Sequence, residues 1–250
     1  MSHYAHRFTG CTVIVTGAGA GIGRATTERL SLEGCRVVAV DVSAERLAAL
    51  TAEVAGDIVT VAADITTEDA IAAVLTAAGG RIDGLANVAG IMDGFEPTAE
   101  VVDATWDRVL SVNVTAMMRL TRAVLPKMIE RGGGSIVNVG SEAGQRGSAA
   151  GTPYTVSKHA VNGFTVSTAF FYTVKGVRCN AVAPGPVATS IEAPFHSDWA
   201  QTRLGPLFQT NVPPVARADQ LAAAITWLLS DDASNVSGAI LPVDGGWAAV

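Results

Sequence analysis

Apolar residues along this chain fall into short β-branched runs, separated by stretches in which apolar positions recur every three or four residues. Residues 12–16, 36–41, 58–62, 82–87, 135–139, 177–182 and 239–243 show the first pattern and read as strands. Residues 21–33, 44–54, 105–131, 154–175 and 218–229 show the second and read as helices. Alternation of this kind predicts an α/β fold, an open and doubly wound parallel sheet with right-handed crossovers. No linker, repeat or low-complexity tract interrupts it, so residues 1–250 read as one domain.

Composition sharpens that picture. Hydrophobic residues make up 49% of the 250 and charged residues 16%, which suits a sheet covered on both faces and some buried interface. The formal net charge of −6 leaves no basic footprint for nucleic acid. Cys11, Cys35 and Cys179 are an odd set without short-range spacing, the usage expected of reduced thiols in a cytoplasmic protein. His3, His6 and Arg7 precede Phe8 with no apolar core of a signal peptide, and no apolar run is long enough to span a membrane. His159 and His196 lie far apart with no ligand spacing around them, so no metal is expected.

Candidate chemistry collects at the ends of the expected strands. Thr16-Gly17-Ala18-Gly19-Ala20-Gly21-Ile22-Gly23 joins the first strand to the first helix. Glycines there let backbone approach a pyrophosphate, and the helix N-terminus adds N–H donors and a positive dipole end. Asp41 ends the second strand, where a carboxylate meets an adenosine ribose or precedes a helix cap. Asp64-Ile65 ends the third and can hold an adenine amino group or cap the helix near Thr67. Asn87-Val88-Ala89-Gly90 ends the fourth with residues small enough for close contact. Asn113 lies inside a long helical stretch, where asparagine is a mediocre former. Gly140-Ser141 follows the fifth strand, and Pro184-Gly185-Pro186-Val187-Ala188-Thr189 the sixth. Tyr154 and Lys158 share a helix face one turn apart, and an ammonium so placed would pull a phenol down from its ordinary pKa of about 10.

With TGAGAGIG, the NVAG turn, Asn113, Ser141, YTVSK and PGPVAT in that order and spacing, the chain resembles the short-chain dehydrogenase/reductase family over essentially its whole length. The resemblance implies a seven-stranded Rossmann sheet and a tetrad of Asn113, Ser141, Tyr154 and Lys158. Tyr154 would be the general acid/base, with Ser141 on the substrate oxygen. Lys158 would contact the nicotinamide ribose, Asn113 would position a water, and Thr189 with the Val187 backbone would hold the carboxamide. The dipeptide often seen as Ser-Ser is Gly140-Ser141 here, and Glu142 follows directly, an unusual residue on the substrate side.

Residues 190–216 fall where the fold places a covering segment. Phe195, Trp199, Leu204, Leu207 and Phe208 are its apolar anchors, and Glu192, Asp198 and Arg203 its only charges. Phe195 and Trp199 join Ser141, Glu142 and Tyr154 as expected substrate contacts, favouring a neutral, bulky or cyclic ketone–alcohol pair. NAD is the expected cofactor, because Asp41 would repel an extra ribose phosphate and Ala20 and Val42 offer no compensating base. Arg24 and Arg46 are expected a helix turn away. A 3-oxoacyl thioester reductase docking an acidic carrier on Arg119, Arg122, Lys127 and Arg131 is the alternative, and a non-catalytic dinucleotide-binding protein a further one. Helices 105–131 and 154–175, the latter with Phe164, Val166 and Phe170-Phe171-Tyr172, are expected to form a dimer interface. The tail 245–250 is expected to form a second, giving a homotetramer.

Overall fold

In the computed structural model, residues 6–191 and 193–249 are described; His3, Glu192 and Val250 lie outside them. The chain runs β1 (Thr12–Thr16), α1 (Gly21–Leu32), β2 (Arg36–Asp41), α2 (Ala44–Glu53), β3 (Ile58–Ala62), α3 (Glu68–Ala78) and β4 (Gly84–Asn87). It continues through α4 (Asp103–Leu110), α5 (Met117–Glu130), β5 (Gly134–Val139), α6 (Thr152–Tyr172), β6 (Val177–Pro184), α7 (Asp198–Asn211), α8 (Ala218–Leu229) and β7 (Ile240–Val243). All seven strands pair in parallel in the order β3-β2-β1-β4-β5-β6-β7. The direction of winding reverses at β1, so the carboxyl ends of β1 and β4 flank the crevice where such sheets bind ligands.

Side chains alternate across each strand, and both faces are apolar. Val13, Val15, Val37, Ala39, Ala86 and Val137 pack on one side against Leu30, Leu47, Leu50, Ile225 and Leu228. Ile14, Val38, Val40, Leu85, Ile136 and Cys179 pack on the other against Val74, Leu120, Val124, Met128 and Ala169. Cys11, Cys35 and Cys179 are free thiols.

Strand boundaries follow the sequence pattern within two residues, and the larger departures have local causes. The single helix expected over 105–131 is two helices joined by a π-helical segment, Ser111–Ala116, centred near Asn113. Tyr172 ends α6 and a 3₁₀ turn over Thr173–Lys175 closes on Gly176 at φ +81°. Among the described tail residues, Gly245, Gly246, Ala248 and Ala249 are exposed, and the Trp247 indole alone is covered. Trp247 is 9% exposed within its own chain, set edge-to-face on Phe208 of α7 with centroids 6.0 Å apart and beneath the Arg146 guanidinium at 5.0 Å.

A run of buried amides ties the two central strands to two helices. Asn87 Nδ2 donates to Asn138 Oδ1 at 2.8 Å and to Thr121 Oγ1 at 3.2 Å, and Asn138 Nδ2 donates to Thr165 Oγ1 at 2.9 Å. Asn138→Ala leaves the Asn87 amide and the Thr165 hydroxyl short of a partner. Unfolding in urea should show a loss of about 1–3 kcal/mol, with the circular dichroism of the folded protein unchanged.

Candidate active site

The β1–α1 turn is built from absent side chains. A Cβ on Gly23 would lie 2.0 Å from the Gly17 carbonyl oxygen, and one on Gly17, which has φ +67°, would lie 3.1 Å from the backbone of Ala89. Gly21, at φ +51°, would strike Thr189 at 2.9 Å. Thr16 Oγ1 accepts from the Val88 and Ala89 amides at 3.0 and 3.2 Å, locking the turn after β1 to the turn after β4. The sequence-expected groups Gly17, Gly21, Ile22, Gly23, Ala89, Gly90 and Thr189 therefore meet at one crevice. Pro184 ends β6 there, and Gly185 lies so close to Asp244 that a Cβ would sit 3.0 Å from its Cα. Val187 bridges Ala216, with Ala188 N donating to Ala216 O at 2.9 Å, which fixes the strap leading to Thr189.

Asp41 is buried at the end of β2 and accepts from Gly19 N (2.9 Å) and Ser43 N (2.9 Å). A carboxylate has about four acceptor sites, so lone pairs remain for ribose hydroxyls. A backbone cradle no side chain can enter, with an acid at its rim, fits a dinucleotide. Three expectations shift. Asp64 is exposed and turned on Thr66, accepting from its amide at 2.9 Å and its hydroxyl at 2.8 Å, while Thr67 caps α3. The Asn87 side chain is committed to the amide run inside the protein rather than to the crevice. Arg46 stands beside the turn, its Cβ 2.8 Å from where a Gly19 Cβ would be; Arg24 is paired with Glu28 and Glu53.

Ser141, Tyr154, Lys158 and Asn113 converge at the mouth of this crevice. Ser141 ends the β5 run; its Oγ accepts from Ala143 N at 3.1 Å and is hydrogen-bonded to the Tyr154 side chain. Lys158, 3% exposed, donates from Nζ to Val139 O at 2.8 Å and lies 5.3 Å from the Tyr154 ring. Asn113 clamps Ile91 from both sides: Oδ1 accepts from its amide at 2.9 Å, and Nδ2 donates to its carbonyl at 3.0 Å and to Ser157 Oγ at 3.1 Å. The π-helical distortion around Asn113 accompanies this clamp, as such distortions do at functional sites. Gly90 sits where the groups meet, since a Cβ there would be 3.3 Å from Asn113 Oδ1 and 3.5 Å from Lys158 Nζ.

Burial governs both titrating groups. It pushes the Tyr154 phenol up to about 12, with the Ser141 hydrogen bond working against it and the charge of Asp93 adding to it. It pushes the Lys158 ammonium down from 10.5 to about 8. The one-turn spacing from Lys158 thus does not set the direction for Tyr154 in the protein alone; desolvation does.

Above the tyrosine, Phe195 stacks on Phe95 with centroids 4.3 Å apart, and Phe208 packs edge-on to Phe95 at 5.8 Å. Met92, Ala143, Ala150, Leu204 and Leu207 complete an apolar cluster that includes Tyr154. Trp199 is 60% exposed and outside it. Glu142 is buried and paired with Arg146 (2.5 Å), its carboxyl raised by burial against the pull of Arg146. Arg146 in turn lies over the Trp247 ring. The sequence reading missed Phe95, Asp93 and Thr16, whose roles depend on contacts across the fold; only the position of Thr16, just before the glycines, could have signalled one.

Residues 11–199 match the profile of the short chain dehydrogenase family. The chain is 36% identical over 251 residues to the short chain dehydrogenase adrF of Penicillium roqueforti, covering 95% of this chain and 97% of that one. It is 38% identical over 256 residues to the levodione reductase of Leifsonia aquatica, covering 97% and 96%. A crystal structure of levodione reductase superposes with a TM-score of 0.89 at 36% identity, over 97% and 99% of the two chains. A 3-ketoacyl-(acyl-carrier-protein) reductase from Brucella melitensis, complexed with NADH, superposes at 0.88 with 29% identity, over 96% and 99%.

The lysine gives a test that needs no substrate. Its folded pKa lies below its unfolded one, so the cost of the buried ammonium is full below pH 8 and fades as pH rises toward 10.5. That cost is about 3 kcal/mol at 1.36 kcal/mol per unit, and the hydrogen bond to Val139 returns about 1. Lys158→Met should therefore be no less stable than the parent at pH 7, by denaturant unfolding, and should lose that advantage toward pH 10.

Proposed function

This chain belongs to the short chain dehydrogenase family, and we propose that it is an NAD(H)-dependent oxidoreductase interconverting a neutral, bulky or cyclic ketone with its secondary alcohol. The observation that carries the reading is the convergence of Tyr154, Ser141, Lys158 and Asn113 beside a turn that only glycines can form. Bound nicotinamide dinucleotide supplies or accepts the hydride. The residues handle the proton. Ser141 holds the substrate oxygen within reach of the Tyr154 hydroxyl, which gives its proton to that oxygen in ketone reduction and takes one in alcohol oxidation. Lys158, fixed on Val139 O, keeps a cation 5.3 Å from the phenol ring and favours the phenolate whenever the proton leaves. Asn113 holds Ile91 and retains one acceptor lone pair toward Gly90, where a water can be positioned.

Substrate class follows from the lining. Met92, Phe95, Ala143, Ala150, Phe195, Leu204, Leu207 and Phe208 present no charge around Tyr154, which suits neutral apolar ligands. Likeness to levodione reductase, a protein named for a ketone, supports this reading. Likeness to the Brucella 3-ketoacyl reductase supports the 3-oxoacyl alternative. Against it, two of the bases expected to dock an acidic carrier are engaged within the chain, Arg119 on Thr66 O and Arg131 on Asp83. We place the enzyme in the cytoplasm as a homotetramer. Val166, Phe170, Phe171 and Val174 are 51%, 76%, 62% and 84% exposed on α6 and its 3₁₀ extension, an apolar face that a second copy would cover.

Three measurements test this. Tyr154→Phe keeps the ring but not the transferable proton, so kcat should fall at least about 100-fold with NADH binding little changed. Retention within a few-fold defeats the assignment. In a panel with NADH, cyclic or aryl ketones should be reduced faster than 2-oxo or 3-oxo carboxylates; the reverse order defeats the pocket reading. Wild-type kcat/KM should favour NAD over NADP by about 100-fold, equivalent to roughly 3 kcal/mol. Asp41→Ala with Val42→Arg should narrow or invert that ratio.

A further inference from the structure

α6, the helix that carries Tyr154 and Lys158, begins at Gly151, a residue with no side chain to cap it. No larger residue fits, because a Cβ there would lie 2.4 Å from Glu96 N and 2.6 Å from Asp93 Oδ2. The missing cap comes from elsewhere. Asp93, 3% exposed in the loop after β4, accepts the amide of Tyr154 at Oδ2 (2.8 Å) and that of Phe95 at Oδ1 (3.0 Å). It also accepts from Gly151 N. Tyr154 is the third residue of the helix, and its amide is one that an N-cap side chain ordinarily takes.

The same carboxylate organises the loop facing the substrate cluster. Phe95, held at φ +59° beside its hydrogen bond to Asp93, stacks on Phe195. His196 N donates to Gly94 O at 3.0 Å, and the His196 ring lies 3.6 Å from Glu96. One side chain thus joins the first turn of the catalytic helix to the loop on which the covering segment rests.

On the dehydrogenase reading above, we propose that Asp93 is a positioning residue for Tyr154: its carboxylate caps the catalytic helix from the β4 loop, fixes the tyrosine against the substrate-facing aromatics, and sets a negative charge opposing phenolate formation. Charged and polar groups around the phenol are few. Lys158 approaches from α6, Ser141 from the β5 end and Asp93 from the β4 loop, while the covering segment presents Phe195, Leu204 and Leu207, with the His196–Glu96 pair at its rim. Lys158 and Asp93 therefore act on the tyrosine proton in opposite senses. Burial raises the Asp93 carboxyl, while the amides of Tyr154, Phe95 and Gly151 favour its ionised form.

Two substitutions separate the cap from the charge. Asp93→Asn keeps the shape and, with its oxygen on Tyr154 N, the cap; its amide nitrogen then faces Phe95 N, so that one hydrogen bond is lost with the charge. The alkaline-rising limb of kcat/KM for alcohol oxidation should move to lower pH by about half a unit or more. Asp93→Ala removes the cap, so kcat should fall about 10- to 100-fold with KM within a few-fold. Amide hydrogen exchange at Tyr154 in the cofactor-free protein should accelerate, a readout independent of turnover. Melting curves and NADH fluorescence titration establish that each variant is folded; if Asp93→Ala is not, Asp93→Asn decides alone. A folded Asp93→Asn enzyme whose pH limb coincides with the parent's reduces Asp93 to a brace and overturns the proposal, as does an Asp93→Ala enzyme with parental kcat. A wild-type protein that oxidises no alcohol with NAD or NADP defeats the dehydrogenase reading instead.

Discussion

A lysine ammonium withdrawn from water sets the terms for the rest of this site. Lys158 has a backbone carbonyl, Val139 O, as its hydrogen-bond acceptor and an aromatic ring nearby, and no carboxylate is paired with it among the described residues. Such a cation is tolerated only where the fold is rigid enough to hold its acceptor in place. That rigidity comes from β5 and α6 together. β5 is paired on both sides, and Asn138 in the strand is hydrogen-bonded to Thr165 of the helix. The ammonium, the phenol and the serine hydroxyl are then fixed relative to one another before any ligand arrives, which is the preorganisation that acid–base chemistry needs.

Neutral amides do most of the remaining positioning. Asn87, Asn138 and Asn113 each bridge elements remote in sequence, and each is buried with its donors engaged. A charged side chain in these places would add a further desolvation cost beside Lys158 and disturb the balance on Tyr154. An amide offers donor and acceptor together at much lower cost. Asp41 and Asp93, two of the buried acids, are each met by backbone N–H groups.

What the sequence made legible is what local chemistry dictates. β1 and β2 announced themselves by β-branched runs, the first turn by glycines that leave no room for a Cβ, and Tyr154 and Lys158 by one-turn spacing. Other features rest on contacts between distant segments. Asn113 looked misplaced in a helix, but only its clamp on Ile91 shows what the π-helical segment accommodates. Glu142 looked like a substrate contact because it follows Ser141; Arg146, four residues on, draws it away. Asp93 carried no signal, since a cap normally precedes its own helix and this one belongs to a loop 61 residues earlier than Tyr154. Trp199 is the opposite case, an aromatic whose expected inward role the observed helix face does not give it.

Trp247 joins two parts of the site that share no strand: Phe208 of the covering helix and, through Arg146, Glu142 in the turn that follows Ser141. The sheet itself gives these two segments no common partner, so the indole is what lets a displacement of one be felt by the other. A change at Trp247 would therefore register in the covering helix and in the serine turn at once, although it touches neither Tyr154 nor the glycine turn.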